Sequence, residues 1–144
     1  MIQAAGGEST DTQAGATGRE VAASEVTEVA VDFILFWAEH TRPHFREEEE
    51  VLLPAFAGYG DPAGEPVVRM LVDHVHIRKQ VADLHSQVER GQPSTKTMRT
   101  IGEMLRAHIR HEEDVVFPLI EEVMPEEALQ ELSGKLDAFA QQSS

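Results

Sequence analysis

A chain of 144 residues has room for one hydrophobic core and not for two, and 12 Lys and Arg against 26 Asp and Glu give a net charge of −14 that repels nucleic acid and attracts cations. The absence of cysteine excludes thiolate metal sites, disulfides and thiol catalysis, so any metal must be held by imidazole and carboxylate. No apolar run approaches the roughly 20 residues that cross a bilayer and the start lacks the features of a secretion signal, so a soluble cytoplasmic protein with neither membrane nor nucleic-acid partner is expected.

Residues 1–18, rich in Gly, Ser, Thr, Ala and Gln, have no apolar periodicity and read as a flexible arm ahead of one helical domain over 19–144. From Arg19 a helical seam runs through Val26, Ala30, Phe33, Trp37, His40, His44, Glu48, Val51 and Ala55 at steps of three and four residues. Pro43 lies inside it and predicts a kink just before His44. Gly58, Gly60, Asp61, Pro62, Gly64 and Pro66 then break the pattern. The second helix, over 65–90, carries Val67, Met70, His74, Ile77, Val81, Leu84 and Val88, close to a strict heptad seam with one histidine at its midpoint. Gly91-Gln92-Pro93-Ser94 ends it, with Ser94 as the cap of the next helix. The third, over 95–123, has the seam Ile101, Leu105, His108, Glu112, Val115 and Leu119, and Pro118 should bend its last part. A short amphipathic helix over 126–140 follows, with Leu129, Leu132, Leu136 and Phe139 on one side.

One phrase occurs twice. His44-Phe45-Arg46-Glu47-Glu48-Glu49-Glu50-Val51-Leu52-Leu53-Pro54 and His108-Ile109-Arg110-His111-Glu112-Glu113-Asp114-Val115-Val116-Phe117-Pro118 match position for position: His, apolar, Arg, any residue, Glu, Glu, acidic, Val, two apolar, Pro. In each copy the His and the first Glu, four residues apart, share one helix face in chelating geometry. Helices joined by short loops run up, down, up, an all-α antiparallel bundle of three long helices plus a short C-terminal one. That topology brings His44, Glu48, His108 and Glu112 to similar heights, with His74 facing them. Two carboxylates buried together repel by several kcal/mol unless protonated or bridged by cations, so one or two metal ions are expected there. Imidazole and carboxylate without sulfur suit iron, manganese or zinc, and two shared carboxylates suit a dinuclear centre with Glu48 and Glu112 as bridges.

The stretches Phe36-Trp37-Ala38-Glu39-His40-Thr41-Arg42-Pro43-His44-Phe45-Arg46-Glu47-Glu48-Glu49, Asp73-His74-Val75-His76-Ile77-Arg78 and Ala107-His108-Ile109-Arg110-His111-Glu112-Glu113 resemble the hemerythrin-like, or HHE cation-binding, family over about residues 26–136. The resemblance implies a four-helix bundle with a non-haem di-iron site used for oxygen binding, for sensing iron or oxygen, or for repairing iron centres. By motif it places His44, Glu48, His74, His108 and Glu112 on ligand positions, with the two Glu as bridges. Two departures stand out. The family's opening helix, with its further His ligand, has no counterpart, since no histidine precedes His40; residues 1–7 read like the tail of such a helix, as in a truncated or misstarted chain. Arg78 also stands where oxygen carriers have a second His, which argues against an oxygen carrier with five His ligands. The missing helix should leave an apolar strip, covered by the segment 126–140 or by a second copy in a homodimer.

Of the remaining histidines, His40 reads as flanking the core or replacing the lost ligand, His76 and His111 as solvated, and His85 as structural. Apart from Glu48 and Glu112, the runs 47–50 and 112–114 read as solvated faces, and Tyr59 has no assigned role. A metal-binding module that senses, stores or scavenges through O2, NO or peroxide is favoured over a di-iron oxidoreductase, because no further acid, base or nucleophile is assembled for turnover. A metal-free helical interaction protein with a vestigial site is the third possibility.

Overall fold

Prolines decide where the helices of this chain change pitch. Helical segments follow one another without a break from residue 15 to 56: α1 (Gly15–Phe36), a π-helical turn (Trp37–Thr41), α2 (Arg42–Glu47), a second π turn (Glu48–Leu52) and α3 (Leu53–Phe56). Then come α4 (Glu65–Glu89), α5 (Thr95–His111), a third π turn (Glu112–Val116), α6 (Phe117–Val123) and α7 (Glu126–Ser143). The computed structural model describes residues 15–143, and every regular element among them is a helix. The flexible arm expected for residues 1–18 lies outside the described residues except for its last four, which belong to α1.

Pro43, Pro54 and Pro118 each sit in the first turn of an α segment that follows a π turn. A proline has no N–H for the carbonyl four residues back, and its ring crowds that carbonyl. Widening the preceding turn relieves the conflict: Leu53 N–H donates to the Glu48 carbonyl and Phe117 N–H to the Glu112 carbonyl, each five residues back. Where the sequence predicts a kink before His44, the chain has such a turn at Trp37–Thr41.

The wider turns also move the apolar stripe by one residue. Beyond Glu112 the sequence seam expects Val115 and Leu119 inside, but Val116 and Ile120 are the buried residues and Val115 is 41% exposed. Beyond Glu48 it expects Val51 and Ala55, and Leu52 and Phe56 are buried in their place. A turn closed at five residues takes up one more position than a 3.6-residue period allows. In α4, which has no such turn, the predicted stripe from Val67 to Leu84 is buried at every position.

Two compact units divide the described chain. One comprises the residues up to Trp37 together with His76–Leu105, and buries Ala30, Ile77, Val81, Leu84, Met98 and Ile101. Its connection between α4 and α5 is closed by hydrogen bonds. Gly91, at φ 73°, takes the left-handed conformation, with Gly91 N–H donating to the Val88 carbonyl and Gln92 N–H to the Gln87 carbonyl. Ser94 caps α5 as predicted, its Oγ accepting from Thr97 N–H at 3.1 Å.

The other unit is Ala38–Val75 with Arg106–Ser144. Leu52, Leu53 and Phe56 pack there with Val67 and Met70 of α4, Val116 and Ile120, and Leu132 of α7. Contacts at both ends fix the directions. Residues 52–56 lie with 67–70 in this cluster while Glu48 meets His74, so α4 runs against the first run. Phe45 meets His108 and Glu48 meets Glu112, so the third run is parallel to the first. The C-terminal helix is longer than predicted, at 18 residues, and lays Leu129, Leu132 and Leu136 on the cluster, so this segment covers that side of the unit.

Two glycines give opposite expectations. Gly91→Ala has free space around its Cβ but forces a left-handed alanine, and should cost about 1–2 kcal/mol in chemical denaturation. Gly134→Ala, in open space within α7, should stabilise by up to about 1 kcal/mol.

Candidate metal centre

Four buried side chains converge in the second unit. Ligand atoms of Glu48, His74, His108 and Glu112 all lie within 4.8 Å of one another. Each copy of the repeated phrase delivers its Glu as the first residue of a π turn and its His from the α segment just before, while α4 delivers His74 between them. The Phe45 ring is the floor: it stacks on His74 with centroids 3.9 Å apart and meets His108 edge-on at 5.2 Å.

The Glu48 carboxylate lies between two imidazoles. Its Oε1 is 3.0 Å from His74 Nε2 and its Oε2 is 3.0 Å from His44 Nε2. On the other arm His108 Nε2 is 2.9 Å from Glu112 Oε2. These approaches are close, yet both Glu48 oxygens, Glu112 Oε2, His74 Nε2 and His108 Nε2 are buried without a hydrogen bond. The outer nitrogens explain why. His74 Nδ1–H donates to Glu49 Oε2 at 2.6 Å and His108 Nδ1–H to Asp73 Oδ2 at 3.2 Å. With Nδ1–H given outward, each ring turns its Nε2 toward a carboxylate, the atom through which an imidazole binds a metal ion.

Burial pushes the Glu112 carboxyl above its ordinary value, and the nearby Glu48 adds to the rise against the pull of His108. Burial also acts to raise Glu48, but its contacts with His44, His74 and Glu112 win and hold it at about 2. His44 is raised by its contact with Glu48 against the opposing effect of burial. Burial would lower His108, and Glu112 and Asp73 overcome that and raise it. The opposed shifts of Glu48 and Glu112 reflect two carboxylates buried side by side.

All of this fits a cation among the donors. Ligands about 2.0–2.2 Å from one ion stand at most about 4.4 Å apart across it, close to the spacing found, and the orphaned atoms are the types that bind metals without sulfur. Carboxylates hydrogen-bonded to the far nitrogens are the usual support of metal-binding histidines.

The other predicted positions divide. His44 touches Glu48 but is half exposed and stands outside the group of four, so the expected convergence of five buried groups is one of four with a fifth at its flank. His40, in the predicted seam, is exposed on the wall of a shallow pocket with Glu39, His44 and Glu47, because the π turn at Trp37–Thr41 rotates it outward. His76 is exposed as expected. His85 is exposed, with Nδ1 3.6 Å from Glu89 on its own helix. His111 is not solvated: it is buried and its Nε2–H donates to the Pro66 carbonyl at 2.9 Å, tying α5 to the start of α4. Glu49 and Asp73 are the functional candidates that periodicity missed. Glu49 was counted in a solvated run, and Asp73 lies off the seam beside His74.

A cavity of about 280 Å³ reaches the centre from the side of α7, with His44 and Glu48 at one end and Phe117, Ile120, Leu132 and Leu136 on its walls.

The family profile described as Hemerythrin HHE cation binding domain matches residues 10–120. No curated protein and no solved structure matches the chain.

The raised and lowered groups give the metal-free protein a signed pH dependence. What His44 and His108 contribute is complete below their ordinary value of 6.5 and is lost as pH rises through their higher folded values. The contribution of Glu48 is complete above 4.5 and is lost as pH falls toward about 2. In chelator, the thermal midpoint should therefore fall as pH rises above 6.5, and a divalent metal should cancel that fall by replacing the protons. An alkaline limb unchanged by metal would contradict this account of the centre.

Proposed function

Because the chain belongs to the hemerythrin HHE cation-binding family, we propose that Glu48, His74, His108 and Glu112, with His44 at the flank, hold non-haem iron as a two-ion centre. Glu48 and Glu112 would be the carboxylates shared in holding the ions, and the protein would sense, store or scavenge through oxygen, nitric oxide or peroxide. The observation that carries the reading is the set of buried imidazole nitrogens and carboxylate oxygens that face one another without a hydrogen bond. Imidazole and carboxylate also accept zinc and manganese, and iron is preferred because it supplies the redox chemistry that such small ligands need. The apolar cavity beside Glu48 suits small uncharged ligands, which favours binding over turnover of a larger polar substrate. No described helix is long and apolar enough to cross a membrane, and the proposed setting is the cytoplasm.

The same reading extends to a homodimer. Val68, Val72 and Val75 recur at helical spacing on α4, 44%, 44% and 62% exposed, on the side away from the buried Val67, Met70 and His74. A helix apolar on two faces is stable when both are covered, and a second copy supplies the cover.

Protein purified without chelator should carry about two ions per chain, identified by anomalous scattering at the iron and zinc edges, and His108→Ala should lose most of them. Metal below about 0.2 per chain, unchanged by that substitution, would mean a vestigial site. Reduced protein should consume peroxide or nitric oxide to about one equivalent per centre and stop; continued cycling would make it an oxidoreductase. Light scattering should give a dimer that Val72→Glu dissociates, and a monomeric parent protein would exclude it.

A further inference from the structure

The cavity that reaches Glu48 from the side of α7 is larger than oxygen or nitric oxide needs. Its volume is about 280 Å³. An apolar cavity of about 150 Å³ already holds benzene, a far bulkier molecule than either gas. The walls are Leu52, Phe117, Ile120, Leu129, Leu132 and Leu136, three of them from α7. Polar groups stand only at its margins. Glu121 and Ser133 are exposed at the rim, and His44, Glu47 and Glu48 close the other end. Of these Glu48 is 2% exposed, and neither of its oxygens makes a hydrogen bond: Oε1 faces His74 within the cluster, and Oε2 faces the half-exposed His44.

We propose that this cavity binds a small organic amphiphile, an aliphatic chain ended by a hydrogen-bond donor such as a hydroxyl, with the donor on Glu48 Oε2 and the chain between α6 and α7. The proposal deepens the reading above by naming a ligand class for the same site; it rests on that reading for its purpose, but on the cavity and the unpartnered Oε2 for its chemistry. The leucines set the tail. From Leu129 to Leu136 the α7 wall is about 10 Å long at the helical rise, which suits a chain of roughly six to eight carbons. The carboxylates set the head. Glu47, Glu48 and Glu121 line the cavity of a chain with a net charge of −14, so a ligand ending in a carboxylate is repelled. An ether or alkane end leaves the buried Oε2 without a donor, whereas a hydroxyl gives it one.

The test is calorimetric titration of the full chain, as purified and again in chelator, with straight-chain primary alcohols from butanol to decanol. Each added methylene should tighten binding about three- to fourfold until the chain fills the cavity, and the gain should stop near eight carbons. Methyl pentyl ether, an isomer of hexanol without the donor, should bind about tenfold more weakly, and hexanoate more weakly still. Leu136→Trp, which fills the cavity, should weaken hexanol at least tenfold, while Gln130→Trp, at an exposed position outside the lining, should not. The chain-length and isomer series need no variant, so they decide the matter even if Leu136→Trp fails to fold. No alcohol binding, equal binding of hexanol and hexanoate or of hexanol and its ether, affinity that climbs through decanol as in simple partitioning, or a folded Leu136→Trp that binds as before would each overturn the proposal. Binding confined to the chelated protein would overturn it too, since the ion would then displace the ligand. Metal content is measured separately: a protein that carries metal and binds no alcohol keeps the metal-binding reading and loses this one, and a protein that binds alcohol and no metal does the reverse.

Discussion

The centre rests on an arrangement that is unfavourable as bare protein: buried carboxylate oxygens and imidazole nitrogens about 3 Å apart with no hydrogen bond between them. A structural polar network would place a donor against each acceptor, because an unsatisfied buried polar group costs about 1–3 kcal/mol. Here the donors are used up on the outside, His74 by Glu49 and His108 by Asp73, so that the inward atoms have nothing to give one another. The folded chain keeps this arrangement because it is held from behind by apolar packing. Phe45 lies beneath both rings, and the cluster of Leu52, Phe56, Met70, Val116 and Ile120 adjoins it, so the donors cannot swing out to water without disrupting the core.

The backbone contributes as much as the side chains. In both copies of the repeat the glutamate opens a π turn and a proline stands two places after that turn closes. The proline needs a turn without its N–H, and the widened turn that results redirects the stripe of buried residues. Thus the acid faces inward with the histidine one turn before it, and the residues that follow bury Val116 and Ile120, or Leu52 and Phe56, in a new phase. π turns inside α-helices often occur at functional sites, and in this chain the requirement of proline supplies a local reason for two of them.

How much of this could be read from the sequence follows from the same geometry. Helix α4 has no π turn, and its stripe from Val67 to Leu84, His74 included, was legible to the residue because its period is undisturbed. That Glu48, His74, His108 and Glu112 come together was legible because the repeat marks Glu48, His108 and Glu112 and the seam of α4 marks His74. Val115 was misplaced, and His40 with it, because a 3.6-residue period carried through a widened turn arrives one position out of phase. Glu49, Asp73 and His111 were hidden for another reason. Each makes its one decisive contact with a residue more than 20 positions away, to His74, His108 and Pro66, and no local pattern announces such a partner. Glu49 was further concealed by its acidic neighbours, since a run of four glutamates looks like a solvated face even when one member turns inward.

Charge supports the proposal of two ions without any count of ligands. The carboxylates of Glu48, Glu49, Asp73 and Glu112 stand in the centre or directly behind it and supply its negative charge. One divalent ion would leave half of that uncompensated, and the two innermost carboxylates are buried where such an excess is least tolerated. Two divalent ions balance it. Glu49 and Asp73 are about a quarter exposed, so water screens part of their charge, and the remaining demand still falls between one ion and two. A net charge of −14 also raises the local concentration of cations around the chain, and the half-exposed His44 lies beside Glu48 at the edge of the cluster.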